Sequence, residues 1–150
     1  MSPYRWLTLI SRVCLVAALV LTAAFTASAE WKEKVLYSFQ GGADGWMPEG
    51  GVVLDKAGNL YGANSRSGSG GCPSSGCGTV FEISPPIQRG GAWTETTLYT
   101  FQGISGGTTD GATPTGGVVI DEQGNLYGTT AYGGNGPCEL FGSTTGCGIV

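Results

Sequence analysis

Hydrophobic and polar residues alternate along most of this chain after its first thirty positions. In residues 31–40, Trp31, Glu33, Val35, Tyr37 and Phe39 fall on one face, and Lys32, Lys34, Leu36, Ser38 and Gln40 on the other. A period of two with aromatic and β-branched enrichment predicts a strand. The same criterion predicts strands over 51–54, from Leu60-Tyr61 onward, and over 78–83. Pro85-Pro86 ends the last of these, because proline cannot donate to a ladder. Asp55-Lys56-Ala57-Gly58 reads as a short hairpin turn: the aspartate bonds backbone N–H groups ahead of it, and Gly58 supplies a positive φ. No segment beyond the N-terminus has helical periodicity. With 28 glycines among 150 residues, the pattern predicts an all-β chain.

The pattern occurs twice. Residues 50–62 return as residues 116–128, differing only at Leu54/Ile120, Lys56/Glu122 and Ala57/Gln123. Upstream, 31–40 matches 93–102, and Asp44-Gly45 matches Asp110-Gly111. Downstream, Cys72 and Cys77 match Cys138 and Cys147. The copies differ in length only between matched segments, as loops on a fixed scaffold do. Two repeats are therefore expected, at 30–92 and 93–150, the second incomplete. Four antiparallel strands per unit predict a propeller-like array, with a β-sandwich or β-solenoid as the alternative. Two units are too few for a ring of about four to eight blades. The expectation is a fragment of a longer array, with assembly of several chains or a truncated product as the other readings.

The N-terminus reads as an export signal. Arg5 and Arg12 precede an apolar run over 13–25, and Ala27-Ser28-Ala29 offers a small-x-small cleavage site. Residues 1–29 are thus expected to be removed near Ala29, giving a secreted or cell-surface protein with no membrane span in the mature chain. An uncleaved anchor is the rival, but the run is shorter than the ~20 residues a span requires. Cys14 leaves with the leader. The other four cysteines, Cys72, Cys77, Cys138 and Cys147, then lie in an oxidising compartment, where disulfides are the default. Four cysteines allow three connectivities; the matching of the copies favours the in-loop pairs Cys72–Cys77 and Cys138–Cys147. Zinc is the weaker reading, since the destination is oxidising and the chain has no histidine.

The same lack of histidine removes the Ser-His-Asp triad. The chain's net charge is −4 before the leader's two arginines are lost, which argues against nucleic acid as a partner. Asp55 and Asp121 have a sufficient role in their turns. Asp44 and Asp110 are turn residues too, and are also the candidates for calcium or ligand loops; no other cofactor is expected. Trp46 and Tyr132 lie in predicted loops, where they offer rings to a sugar or a protein partner. Glu49 and Glu139 break the repeat, as drifting loop residues do. The recurring aromatics Tyr37, Phe39, Tyr61, Tyr99, Phe101 and Tyr127 are expected in the core.

Val35-Leu36-Tyr37-Ser38-Phe39, Ala43-Asp44-Gly45, Asp55-Lys56-Ala57-Gly58-Asn59-Leu60-Tyr61-Gly62 and Gly78-Thr79-Val80-Phe81-Glu82-Ile83 resemble the GloVer tandem-repeat family of bacterial surface or secreted proteins. The Asp-x-x-Gly-Asn-Leu-Tyr turn is also similar to that of other bacterial propeller repeats. The resemblance implies a propeller-like extracellular protein and assigns no catalytic residue. This chain departs from it in having two repeats and no visible C-terminal anchor. The reading that follows is a secreted repeat protein presenting Gly/Ser-rich loops as a binding or adhesive surface. Its ligand would be carbohydrate or protein, or further repeats or copies of itself. The alternative is an extracellular carbohydrate-active enzyme, a glycoside hydrolase or lyase, using carboxylates from neighbouring blades.

Overall fold

A computed structural model describes residues 31–67, 72, 76–103, 110–140 and 143–150. The expected leader and most of the Gly/Ser-rich loops lie outside these residues. The chain divides into two units between Lys34 and Val35, and all the strands lie in the second. Among the described residues there is no helix, hence none long and apolar enough to cross a membrane.

Four strands form one antiparallel sheet in sequence order: β1 (Val53–Leu54), β2 (Leu60–Asn64), β3 (Thr79–Ser84) and β4 (Thr94–Thr100). β5 (Val119–Ile120) and β6 (Leu126–Tyr127) form a two-stranded ladder, as do β7 (Glu139–Leu140) and β8 (Ser143–Thr144). β1 through β3 come from the first sequence copy and β4 from the second, so the sheet crosses the copy boundary. Neither a closed ring nor a barrel is formed by these strands. The β7–β8 hairpin inside the second cysteine loop has no signature in the sequence.

Local chemistry explains the hairpins. Asp55 N–H donates to Asn59 O at 3.0 Å and Gly58 N–H to Asp55 O at 3.2 Å, with Gly58 at φ 93°. The second copy repeats this turn with Asp121, Asn125 and Gly124, the glycine at φ 88°. β1 and β5 pair with β2 and β6 in the same register, Val53 opposite Tyr61 and Val119 opposite Tyr127. Along β3, Thr79, Phe81 and Ile83 are buried and alternate with half-buried neighbours, the mark of a strand covered on one face. Leu98 of β4 has no opposite residue, since Val80 faces Tyr99 while Phe81 faces Thr97. This bulge interrupts the alternation that the sequence shows through 93–102.

The core centres on Phe81, only 1% exposed, with Ala63, Ile83, Cys77, Ala112 and Val118. The Phe39 ring meets Phe81 edge-on at 4.9 Å. Two expectations are corrected here. Residues 31–40 form no strand, although their counterpart is β4. β4 exists because β3 presents an edge to it; a strand pattern without a partner edge has nowhere to place its N–H and C=O groups. The recurring aromatics are not the core either. Tyr99 and Tyr127 are about half exposed, 48% and 51%, and the other four are half-buried. The four tyrosine hydroxyls, of Tyr37, Tyr61, Tyr99 and Tyr127, reach aspartate carboxylates, which keeps those rings at the periphery.

Both expected disulfides are formed, Cys72–Cys77 and Cys138–Cys147, with Cα atoms 5.2 and 5.1 Å apart. Cys77 is fully buried, and Cys77 O accepts from Thr113 N–H at 2.8 Å. Thr113 and its counterpart Met47 both take positive φ, 58° and 59°.

Candidate functional site

Asp44 and Asp110 act as clamps on the segments before them. Asp44 Oδ2 accepts from Tyr37 O–H at 3.1 Å and Gln40 N–H at 2.7 Å, and its Oδ1 from Gly42 N–H at 3.1 Å. Asp110 Oδ2 accepts from Tyr99 O–H at 2.9 Å and Gln102 N–H at 2.8 Å, and its Oδ1 from Gly111 N–H at 2.8 Å. The carboxylates thus tie an extended segment to the turn after it. Burial, then the bond to Asp44, pushes the Tyr37 hydroxyl above its usual range. The bond to Asp110 does the same for Tyr99, with burial second. No cluster of three or more potential metal ligands occurs among the described residues.

Trp46 and Tyr132 sit in isolated β-bridges rather than in free loops. Trp46 pairs with Arg66, and Ala112 with Tyr132. These bridges are equivalent in the repeat, so Trp46 and Tyr132 occupy opposite partners of the same structural position. Trp46 is 39% exposed and Tyr132 half-buried. Glu49 and Glu139 are exposed.

A different surface combines both copies. The two aspartate turns line one open groove of about 500 Å3, between Leu54, Asp55, Lys56, Ala57 and Tyr61 on one side and Ile120, Asp121, Glu122, Gln123 and Gly124 on the other. Neither Asp44, Asp110, Trp46 nor Tyr132 lines it. All three positions at which the repeated block differs, Leu54/Ile120, Lys56/Glu122 and Ala57/Gln123, line it in both copies. Their differences were visible in the sequence; their convergence needed the fold, because nothing in the repeat says that the two turns share a groove.

The aspartates beneath this surface are held by their own turns. Asp55 Oδ1 accepts from Ala57 N–H and Asn59 N–H, both at 2.8 Å, and its Oδ2 from Asn59 Nδ2 at 2.9 Å and Tyr61 O–H at 3.2 Å. Asp121 makes the same bonds to Gln123, Asn125 and Tyr127. Burial pushes the Asp55 carboxyl up, but the bonds from Asn59, Ala57 and Tyr61 outweigh it and hold it below the usual carboxylate range. For Asp121 the Asn125 side chain leads and the result is the same. Glycoside hydrolysis by an acid pair needs one carboxyl kept protonated. These two are held ionised, which suits them to brace turns. The residues free to meet a ligand are the variable ones at the rim: an ammonium from Lys56, a carboxylate from Glu122 and an amide from Gln123. No family model, curated protein or solved structure matches this chain.

Proposed function

We propose that this is an exported, disulfide-stapled repeat protein that binds its ligand without transforming it, and that the groove between the aspartate turns is its recognition surface. One observation carries the reading: the block is kept nearly identical between copies, and every position where it differs lines this groove. A rigid, repeated frame with varied rim residues is how a scaffold separates fold from specificity. Lys56 and Glu122 place opposite charges on opposite walls, and Gln123 adds both a donor and an acceptor. This chemistry suits a polar, uncharged chain rich in hydroxyls, so a carbohydrate is the ligand class. The two disulfides support an extracellular site of action. A propeller-like array of the GloVer type is the architecture we propose for this unit, with its Gly/Ser-rich loops enlarging the surface.

The test is a glycan array with the oxidised chain and a Lys56→Ala/Glu122→Ala/Gln123→Ala variant. Capture by the native chain, lost at least tenfold in the variant at unchanged thermal unfolding, supports the groove. Equal capture by both moves recognition elsewhere. Release of reducing sugar from a captured glycan would replace binding by catalysis.

A further inference from the structure

The recognition groove takes one wall from each copy, and both walls are reached through the same short approach. Gly50-Gly51 leads through β1 to the Asp55 turn, and Gly116-Gly117 leads through β5 to the Asp121 turn. The two approaches touch. A Cβ on Gly50 would lie 2.6 Å from both Gly116 O and Gly117 N, and 2.7 Å from Gly116 C. A Cβ on Gly117 would lie 3.1 Å from Gly51 O and 3.3 Å from Gly51 N. The copies therefore abut backbone to backbone here, with no side chain between them. Neither Gly50 nor Gly117 has a positive φ, so no turn calls for glycine at these positions. The close approach of the other backbone does.

Past this contact the copies part. β1 and β5 belong to different sheets, so among the described residues no ladder joins them. The groove of about 500 Å3 opens between the turns that follow. Leu54 lies four residues beyond Gly50, and Ile120 three beyond Gly117. At about 3.3 Å per extended residue, the contact stands at most about 10–13 Å behind the walls. Ahead of the contact the copies are tied: Thr113, three residues before Gly116, donates its N–H to Cys77 O at 2.8 Å. The glycines thus stand between a tied end and an open one.

We propose that the contact of Gly50 with Gly116-Gly117 is the spacer that sets the span of the recognition groove, so that these glycines determine specificity although none of them lines it. The inference rests on the reading of that groove as the binding surface. Lys56 on one wall and Glu122 and Gln123 on the other meet one ligand together only at the span this contact fixes. A methyl group on Gly50 would meet backbone atoms, which no side-chain rotation can clear. The approaches must separate by about 1 Å to restore an ordinary contact of about 3.5 Å. The Thr113–Cys77 tie holds one end, so the movement is passed to the open end. With the walls farther apart, a narrow ligand touches only one of them, and preference moves to broader glycans.

The test uses the full oxidised chain, with spin-labelled unnatural amino acids at positions 56 and 122 and the distance between them read by pulsed electron paramagnetic resonance. Gly50→Ala is expected to lengthen the mean distance by about 1–2 Å. Gly117→Ala, whose clash is milder, is expected to lengthen it less, and carries the test should Gly50→Ala unfold. Gly51→Ala is the control: a Cβ there meets nothing within 4 Å, so the distance is expected to stay as it is. On a glycan array, unlabelled Gly50→Ala is expected to raise capture of branched over linear glycans by about threefold or more. Unchanged label distances in Gly50→Ala and Gly117→Ala overturn the proposal, because the methyl is then absorbed locally. So does equal lengthening in Gly51→Ala, or a uniform loss of capture that keeps the ranking of glycans and follows lowered thermal unfolding. If the native chain captures no glycan, the reading of the groove falls and this inference with it; capture at an unchanged label distance overturns the inference alone.

Discussion

Asp55 and Asp121 show how much one side chain decides in this fold. Each bonds the backbone of its own turn and the tyrosine six residues on. Everything required is local, so the turn was readable from Asp-x-x-Gly-Asn alone. Its pH dependence follows in sign. Both carboxyls are held below the unfolded aspartate value of about 3.9. The ionised form is favoured by folding, so the stability it contributes is present above about pH 4 and is lost as pH falls through the folded-state values. An Asp55→Asn/Asp121→Asn variant is expected to show a flatter loss of stability between about pH 4 and 2, measured by urea unfolding at each pH. An acid limb as steep as the native one would refute this account of the turns. Gly58 gives a second residue-scale test. Its φ is 93°, yet a Cβ there would meet nothing closer than Pro85 Cγ at 3.8 Å. Gly58→Ala is therefore expected to cost about 1–2 kcal/mol from backbone strain alone. A cost near zero in urea unfolding would mean that the turn relaxes to negative φ.

Strands depend on what lies beside them, and this is where sequence reading runs out. Residues 31–40 and 93–102 carry nearly the same alternation, but only the second forms a strand, because β3 lies alongside it. Periodicity reports which face a segment would bury; it does not report whether an edge exists. The aromatic assignment failed for a related reason. A tyrosine that recurs in register looks like core, but Tyr37, Tyr61, Tyr99 and Tyr127 each bind an aspartate through the hydroxyl, which pulls the ring outward. Phe81 has no such handle and is buried, with Phe39 against it. Phe81→Ala is expected to cost about 3–5 kcal/mol in urea unfolding. Phe101→Ala, which removes a half-buried ring from the wall of an open groove, is expected to cost clearly less. Equal losses would mean that the second copy is packed as tightly as the first.

At the scale of the molecule, a small core makes the disulfides matter, and their settings differ. Few apolar side chains are buried among the described residues, and Phe81 and Cys77 are the most deeply buried of them. Cys72 is half-buried, while Cys138 and Cys147 are both exposed. Pairing was legible from the matching of the copies; this asymmetry was not, because it comes from residues distant in sequence, Gly103 and Thr113, that close on Cys77. Gly103, just past β4, packs so near the first bridge that a Cβ there would lie 2.6 Å from Cys72 Sγ and 2.8 Å from Cys77 Sγ. Each bridge closes a short loop, for which chain entropy gives a contribution of about 2–3 kcal/mol. Thiol exchange needs access to a sulfur. Mild reductant under native conditions is therefore expected to open Cys138–Cys147 first, with alkylation mapped by mass spectrometry. Cys72–Cys77 is expected to yield only as the sheet unfolds, so its labelling should rise with urea along the global transition. The partly reduced chain should retain the spectroscopic signature of the four-stranded sheet, because the second bridge lies outside it. Labelling of both pairs at one rate, independent of urea, would show that the first bridge opens by local motion and that the sheet does not protect it.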